Sequence, residues 1–187
     1  MSNASAAPES QTLKDLLASY QGESNAAVRY TAFAIRADVD GSLRVAALFR
    51  AAARAEQVHA ANHARIISKL GGTAHATIHA PEVKSTRENL EAAKAGEQYE
   101  RDVMYPTYIK EAEVSGHKDA VRSFTLALKA EAVHAQLYGK ALEKLEAQRV
   151  QTTFYVCLVC GEVTDKREET EHCPICNAPK EKFDSLR

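Results

Sequence analysis

The sequence predicts a mainly α protein: a four-helix bundle with one long central crossover, followed by a small β/loop domain built on a metal knuckle. Three observations carry this reading. Helical periodicity and capping signals fill residues 12–149 and stop there. Two near-identical hexads, Ala55-Glu56-Gln57-Val58-His59-Ala60 and Ala130-Glu131-Ala132-Val133-His134-Ala135, lie in alanine-rich helical stretches at the same phase. All four cysteines fall in the last 31 residues, as two C-x-x-C pairs. The expected domains are a four-helix bundle over 12–149 and a small four-cysteine domain over 153–187.

Bulk properties exclude several classes. A chain of 187 residues holds one good core and a small satellite. A net charge of −1 gives no basic footprint for nucleic acid. No apolar run approaches the ~20 residues of a membrane helix. The polar start, residues 1–11, lacks the basic flank and apolar stretch of a secretory signal, so the cytoplasm is the expected location. In such a chain, paired C-x-x-C motifs point to a metal rather than to disulfides.

The elements follow in order. Thr12, with Asp15 three residues on, is the expected cap of a first helix reaching Asp40, where Gly41 breaks it. A second helix runs from Ser42 to Leu70 and ends at Gly71-Gly72. Ser85 and Glu88 form a capping box that opens a third helix, which continues to Ser115 with a kink or break expected at Pro106. A fourth helix spans about 118–149. The short joints make two antiparallel hairpins, while 71–84 is long enough to run back along the bundle. Four helices with one long crossover form the ferritin-like arrangement.

The hexads carry the chemistry. Glu and His three apart share a helix face, and carboxylate plus imidazole suits a first-row transition metal. Each hexad is preceded by a Gly-Glu pair, Gly22-Glu23 and Gly96-Glu97, at nearly the same distance. One hairpin therefore offers Glu23, Glu56 and His59, and the other Glu97, Glu131 and His134. A Glu from each of two helices plus a Glu-x-x-His from each of the others is the di-iron carboxylate ligand set. Glu100 shares the face of Glu97 and is a candidate seventh ligand; its counterpart in the first hairpin is Ala26. Tyr30 and Tyr105 follow the two Gly-Glu glutamates by seven and eight positions. In the tail, Cys157, Cys160, Cys173 and Cys176 suit one Fe or Zn in tetrahedral array. Asn177 stands where such a turn needs a left-handed residue.

Together with Met104-Tyr105-Pro106 and the Ser85–Leu90 stretch, these motifs resemble the rubrerythrin family from about Tyr20 to the C-terminus. The resemblance implies a non-haem di-iron peroxidase that reduces hydrogen peroxide to water in oxidative-stress defence. It implies Glu56 and Glu131 as bridges, Glu23 on one iron, and Glu97 with His134 on the other. Glu100 and His59 are implied to alternate on the first iron, the carboxylate when oxidised and the imidazole when reduced. Tyr30 and Tyr105 match tyrosines beside the site. The tail matches a rubredoxin-like Fe(Cys)4 centre that relays electrons from an NAD(P)H-linked reductase or a rubredoxin. Glu162 follows Gly161 where the family often has an aromatic, and its carboxylate is expected to lower that centre's potential.

The fourth helix extends about 27 Å beyond Glu131, which places the tail far from its own di-iron site. A head-to-tail homodimer with an inter-chain electron path is therefore expected. Two competing readings are an iron-oxidising or iron-storing bundle that uses oxygen, and a metal-free helical module whose zinc ribbon binds a partner. The first has no use for a tethered electron donor. The second requires an empty bundle.

Overall fold

The computed structural model describes residues 10–187 except 148 and 170. Five α-helices precede a three-stranded sheet: α1 (Gln11–Val39), α2 (Leu43–Lys69), α3 (Thr86–Tyr99), α4 (Tyr105–Val114), α5 (Lys118–Glu143), β1 (Phe154–Cys157), β2 (Val163–Thr164) and β3 (Phe183–Leu186). α3 and α4 are one continuous rod joined by a π-helical segment, Glu100–Met104, so the bundle has four rods. The expected four-helix, crossover-linked fold is present, and the differences from expectation are local.

The first cap is Ser10, whose hydroxyl accepts from Leu13 N; Thr12 is instead fully buried inside the first turn. The Ser85–Glu88 capping box forms in both directions. Pro106 does not kink a regular helix. It directly follows the π segment, where the i→i−4 ladder is already interrupted, so its missing N–H breaks no regular α-helical bond. The fourth rod stops at Glu143 rather than near 149, because Lys144 leaves helical geometry and Leu145–Ala147 forms a 3-10 turn.

The crossover, 71–84, is extended and pinned along α1 by two amides. Gln21 Nε2 and Asn25 Nδ2 both donate to Thr77 O (2.6 and 2.9 Å), and Gln21 Oε1 and Asn25 Oδ1 accept from Thr77 N and His79 N. Alanine fills the inner faces: Ala46, Ala47, Ala51, Ala52 and Ala55 of α2 are all buried. Small side chains let the rods approach closely and leave length for the long carboxylates between them. An aromatic plug of Tyr30, Phe33, Phe49 and Tyr138 closes one end, with ring centroids 5.4–6.2 Å apart. Each such pair contributes ~0.5–1.5 kcal/mol beyond its buried area.

β1 is central, antiparallel to β2 and β3. Its inward side chains Phe154 and Val156, with Val163 of β2, join the bundle's own core. Arg44 of α2 pairs with Asp165 and covers the Phe154 ring, and Arg54 reaches Asp184 at 3.4 Å. The chain therefore reverses through 144–153 and runs back along α2. The distance expected from helix length alone does not hold, because the tail returns over the rods it has just left.

Candidate metal centres

The four rods bring six sequence-predicted ligands into two overlapping groups. Glu23, Glu56, His59 and Glu131 have ligand atoms within 4.8 Å of one another, as do Glu56, Glu97, Glu131 and His134. Glu56 and Glu131 belong to both groups. All six are buried to within 1% of full enclosure. Glu100 lies outside both groups, half-buried on the π segment.

Carboxylates placed this way without compensation repel strongly. Burial first, then Glu131 and Glu23, hold the Glu56 carboxyl well above its usual range. Burial and the same clustering raise Glu23 and Glu97, and Glu100 is raised by burial, Glu23 and Glu131. Glu131 goes the other way: burial opposes its ionisation, but His59 and His134 more than offset this and lower it. Burial disfavours the charged form of His59, yet Glu131 and Glu23 push it up to about 10. The site as a whole demands positive charge.

Orphaned atoms indicate what kind. Glu23 Oε2, Glu56 Oε1, Glu97 Oε2, both Glu131 oxygens and His134 Nδ1 are buried with no hydrogen-bond partner. His134 Nδ1 lies 2.7 Å from Glu131 Oε2 and His59 Nδ1 2.8 Å from Glu131 Oε1, but neither approach has hydrogen-bonding alignment. His59 Nδ1 does pair with Glu56 Oε2 at 3.0 Å. The other close lone pairs do not bond one another and fit a shared cation, and oxygen plus imidazole donors fit iron.

Two tyrosines hold the carboxylates in place, each from the opposite hairpin. Tyr30 Oη donates to Glu97 Oε1 (2.8 Å), and Tyr105 Oη donates to Glu23 Oε1. The cross-bracing explains the unequal spacing in the sequence. A π turn accommodates one extra residue, so Tyr105 reaches the same depth after eight positions as Tyr30 does after seven.

The four-cysteine site is equally complete. Cys157–Cys176 and Cys160–Cys173 Sγ separations are 3.6 and 3.5 Å, and all four cysteines are free. Those separations are too long for a disulfide, whose S–S bond is ~2.0 Å. They suit the edges of a tetrahedron with ~2.3 Å metal–sulfur bonds. Gly161 and Asn177 take the left-handed backbone that closes each knuckle (φ 81° and 60°). Glu162 is buried beside the thiolates; burial and Cys173 raise it to about 7.

The two centres touch. His59 Nε2 is 3.0 Å from Cys160 O, and His134 Nε2 is 3.0 Å from Gly161 O. A carbonyl only accepts, so each Nε2 carries a proton and each Nδ1 is the nitrogen left to ligate among the carboxylates. Asn62 Nδ2 adds a third bond to Val159 O.

One inward residue lies outside the sequence-predicted set. His63, one turn beyond His59, is fully buried, with Nε2 3.2 Å from Tyr105 Oη and Nδ1 3.1 Å from Ser123 Oγ. The sequence does hold a signal: His63 and Tyr138 occupy the same place after the first and second hexads. His75 and His79 sit in the crossover, His172 forms an isolated β-bridge with Pro179, and His117 occupies the N-cap position of α5.

Comparison with known proteins agrees with this geometry. The Rubrerythrin family model matches residues 14–142, and the rubrerythrin rubredoxin-like domain matches 155–184. The chain is 38% identical to nigerythrin of Nitratidesulfovibrio vulgaris over 92% of its own length and 85% of the relative's. It is 33% identical to a rubrerythrin of Porphyromonas gingivalis, over 95% and 91% of the two chains. The structure of fully reduced nigerythrin superposes with a TM-score of 0.88 at 36% identity, covering 99% of this chain and 91% of that one. A bacterioferritin from Desulfovibrio desulfuricans (TM-score 0.68, 20% identity, 74% of this chain and 82% of that one) shares the fold alone. The matched models span bundle and tail in the same chain order as the two centres, and the chain belongs to the rubrerythrin family, with its di-iron and rubredoxin-like Fe(Cys)4 sites.

Proposed function

We propose that this protein is a non-haem di-iron peroxidase that reduces hydrogen peroxide to two waters, with electrons relayed through its four-cysteine centre. Members of the family are peroxidase-like oxidoreductases. The observation that carries the finer reading is the pair of hydrogen bonds from His59 and His134 to the Cys160 and Gly161 carbonyls. Each candidate ligand nitrogen is thereby one imidazole ring away from the cysteine knuckle. A store has no need of that contact.

Glu23, Glu56, His59 and Glu131 would hold one iron, and Glu56, Glu97, Glu131 and His134 the other, with Glu56 and Glu131 shared. Two ferrous ions side by side supply both electrons of O–O cleavage together, so no hydroxyl radical need escape. The protein positions and protects. Tyr30 and Tyr105 fix one oxygen each of Glu97 and Glu23, leaving the other free to ligate. The aromatic plug excludes water from one end. Burial, Glu23 and Glu131 raise the Glu100 carboxyl, so positive charge held at the site would favour its ionised, ligating form.

Electrons would come from a reductase or a separate rubredoxin. Docking within one chain removes the distance argument for an inter-chain path. The same contact can also be exchanged between two chains through the linker 144–153, giving a head-to-tail dimer. Mixing a tail-deleted chain with a Glu56→Ala chain separates the two cases: restored activity requires exchange, and none means the path stays within a chain. No helix among the described residues is long and apolar enough to cross a membrane, in keeping with action in the cytoplasm.

Stopped-flow oxidation of the diferrous protein tests the central reading. Peroxide is expected to outpace oxygen. The reverse order would make the protein an iron oxidase.

A further inference from the structure

We propose that Ser123, His63, Tyr105 and Glu23 form a directional proton wire from a surface cavity to the di-iron site, with His63 as its central relay. The inference rests on the peroxidase reading and adds a route for the protons. Peroxide, two electrons and two protons give two waters, so each turnover must bring two protons to a site whose six candidate ligands are buried.

Hydrogen-bond accounting sets the direction. Glu23 ionised as a metal ligand can only accept, so the one hydroxyl proton of Tyr105 goes to Glu23 Oε1. Tyr105 Oη can then only accept from His63, so His63 Nε2 carries its ring proton. A neutral imidazole has one such proton, which leaves Nδ1 as acceptor from Ser123 Oγ. Every donor therefore points inward. One concerted shift moves a proton from Ser123 to Nδ1, from Nε2 to Tyr105, and from Tyr105 to Glu23. The Glu23 carboxylate is neutralised, Ser123 takes its replacement proton from water in the cavity, and Ser123, His63 and Tyr105 are each neutral before and after. His63 must reorient to present an N–H to Tyr105 again before the second proton follows. Neutral His63 fits its surroundings, since burial disfavours its charged form.

The outer end is open. Ser123 lines a cavity of about 390 Å³ between α2, α5 and the first knuckle, with Arg65, Lys69, Asp119 and Arg122 around it. Among the described residues, the second half of the molecule has no equivalent. Tyr138 stands where His63 does, and its buried hydroxyl has no partner. Tyr30 therefore braces Glu97 without a link outward.

The test uses the full-length chain with two arms. In zinc-loaded protein, long-range ¹⁵N–¹H correlation is expected to show His63 protonated at Nε2; protonation at Nδ1 overturns the wire. In iron-loaded protein, a pH-indicator dye reads proton uptake after peroxide is mixed with the diferrous form. His63→Leu is expected to slow uptake about 100-fold, the range of a lost acid–base group, with iron content unchanged and the rate recovered by added imidazole entering the cavity. Ser123→Val, which blocks the outer link without touching the histidine, is expected to slow it about tenfold. Wild-type uptake rates in Ser123→Val, or in a folded His63→Leu, overturn the proposal. If the wild-type diferrous protein ignores peroxide, the peroxidase reading fails and the tautomer measurement alone decides whether the wire is built.

Discussion

The two helical hairpins are copies of one design, and they differ at the positions where the chemistry needs direction. Both supply a Gly-Glu pair, a Glu-x-x-His and a bracing tyrosine, and each tyrosine secures the other hairpin's glutamate. Four of their departures have structural consequences. Ala26 faces Glu100 across the pseudo-symmetry, Tyr138 replaces His63, α1 is regular where the second rod contains a π turn, and Asp15 stands where the second hairpin has Asn89. Equal halves would bind two ions identically. The departures at Glu100 and His63 give one ion a spare carboxylate and a hydrogen-bonded route to the surface.

The largest expected effect comes from erasing the first difference. Glu100→Ala gives the second rod the residue that the first has at Ala26. It should retain two irons, because Glu100 lies outside both ligand groups, yet lose about 100-fold in peroxide turnover as a positioned group is removed. Iron analysis and stopped-flow on one preparation check this. Unchanged turnover would make the asymmetry incidental.

Next comes the contact with the tail. A Cβ at Gly161 would lie 2.2 Å from His59 Nε2, at a backbone φ of +81° that disfavours side chains. The three atoms nearest to that Cβ all belong to His59, so Gly161→Ala strikes the His59 contact first. The lost hydrogen bond and the strain should raise the undocked population about tenfold or more. Electron transfer from the reduced four-cysteine centre should slow in proportion, while the visible spectrum of that centre stays intact. Transfer at the wild-type rate would show that the His59 contact is not on the path.

The tyrosine braces give a smaller, thermodynamic comparison. Tyr30→Phe and Tyr105→Phe each remove a donor to a buried carboxylate, worth ~1.5–3 kcal/mol. Tyr105→Phe should cost more, since it also strands His63 Nε2. Urea unfolding of the metal-free variants reads the difference; equal costs would mean that His63 finds another partner.

Much of this is legible in the sequence because helical metal sites write their ligands at fixed spacings. Six of the seven bundle candidates lie within two compact groups, and the four cysteines within a third. What is not legible depends on three-dimensional return. Helix length places Arg149 far from Glu131, but apolar Phe154, Val156 and Val163 draw the tail back onto α2. No local signal in 144–153 states that reversal. Ser10 is masked as a cap because Thr12 matches the same pattern two residues later. The amides of Gln21 and Asn25, which pin the crossover, look in sequence like any solvated side chains of a helix. His63 is hidden by its neighbour, since one histidine already completes the hexad.

The smallest effect lies at the far end of the bundle, where the halves differ by one atom type. Asn89 satisfies its amide against Lys84 N and O (2.9 and 3.0 Å). Asp15, at the equivalent place in α1, is 3% exposed and faces Glu111. Burial first, then the Glu111 carboxyl, raise it from 3.8 to about 6, partly offset by the bond from Gln11 Nε2 (2.8 Å). A carboxyl whose folded value is raised favours the folded state while protonated and loses that advantage as pH climbs through about 6. Asp15→Asn makes the first hairpin like the second and removes the titration. It should stabilise the protein by ~1 kcal/mol above pH 7, discounted for the solvent that reaches this end of the bundle. The gain should vanish below about pH 4, where Asp15 is neutral in both folded and unfolded chains. Urea midpoints at pH 4 and pH 8 give the two limits, and a gain of equal size at both would locate the effect in packing rather than charge.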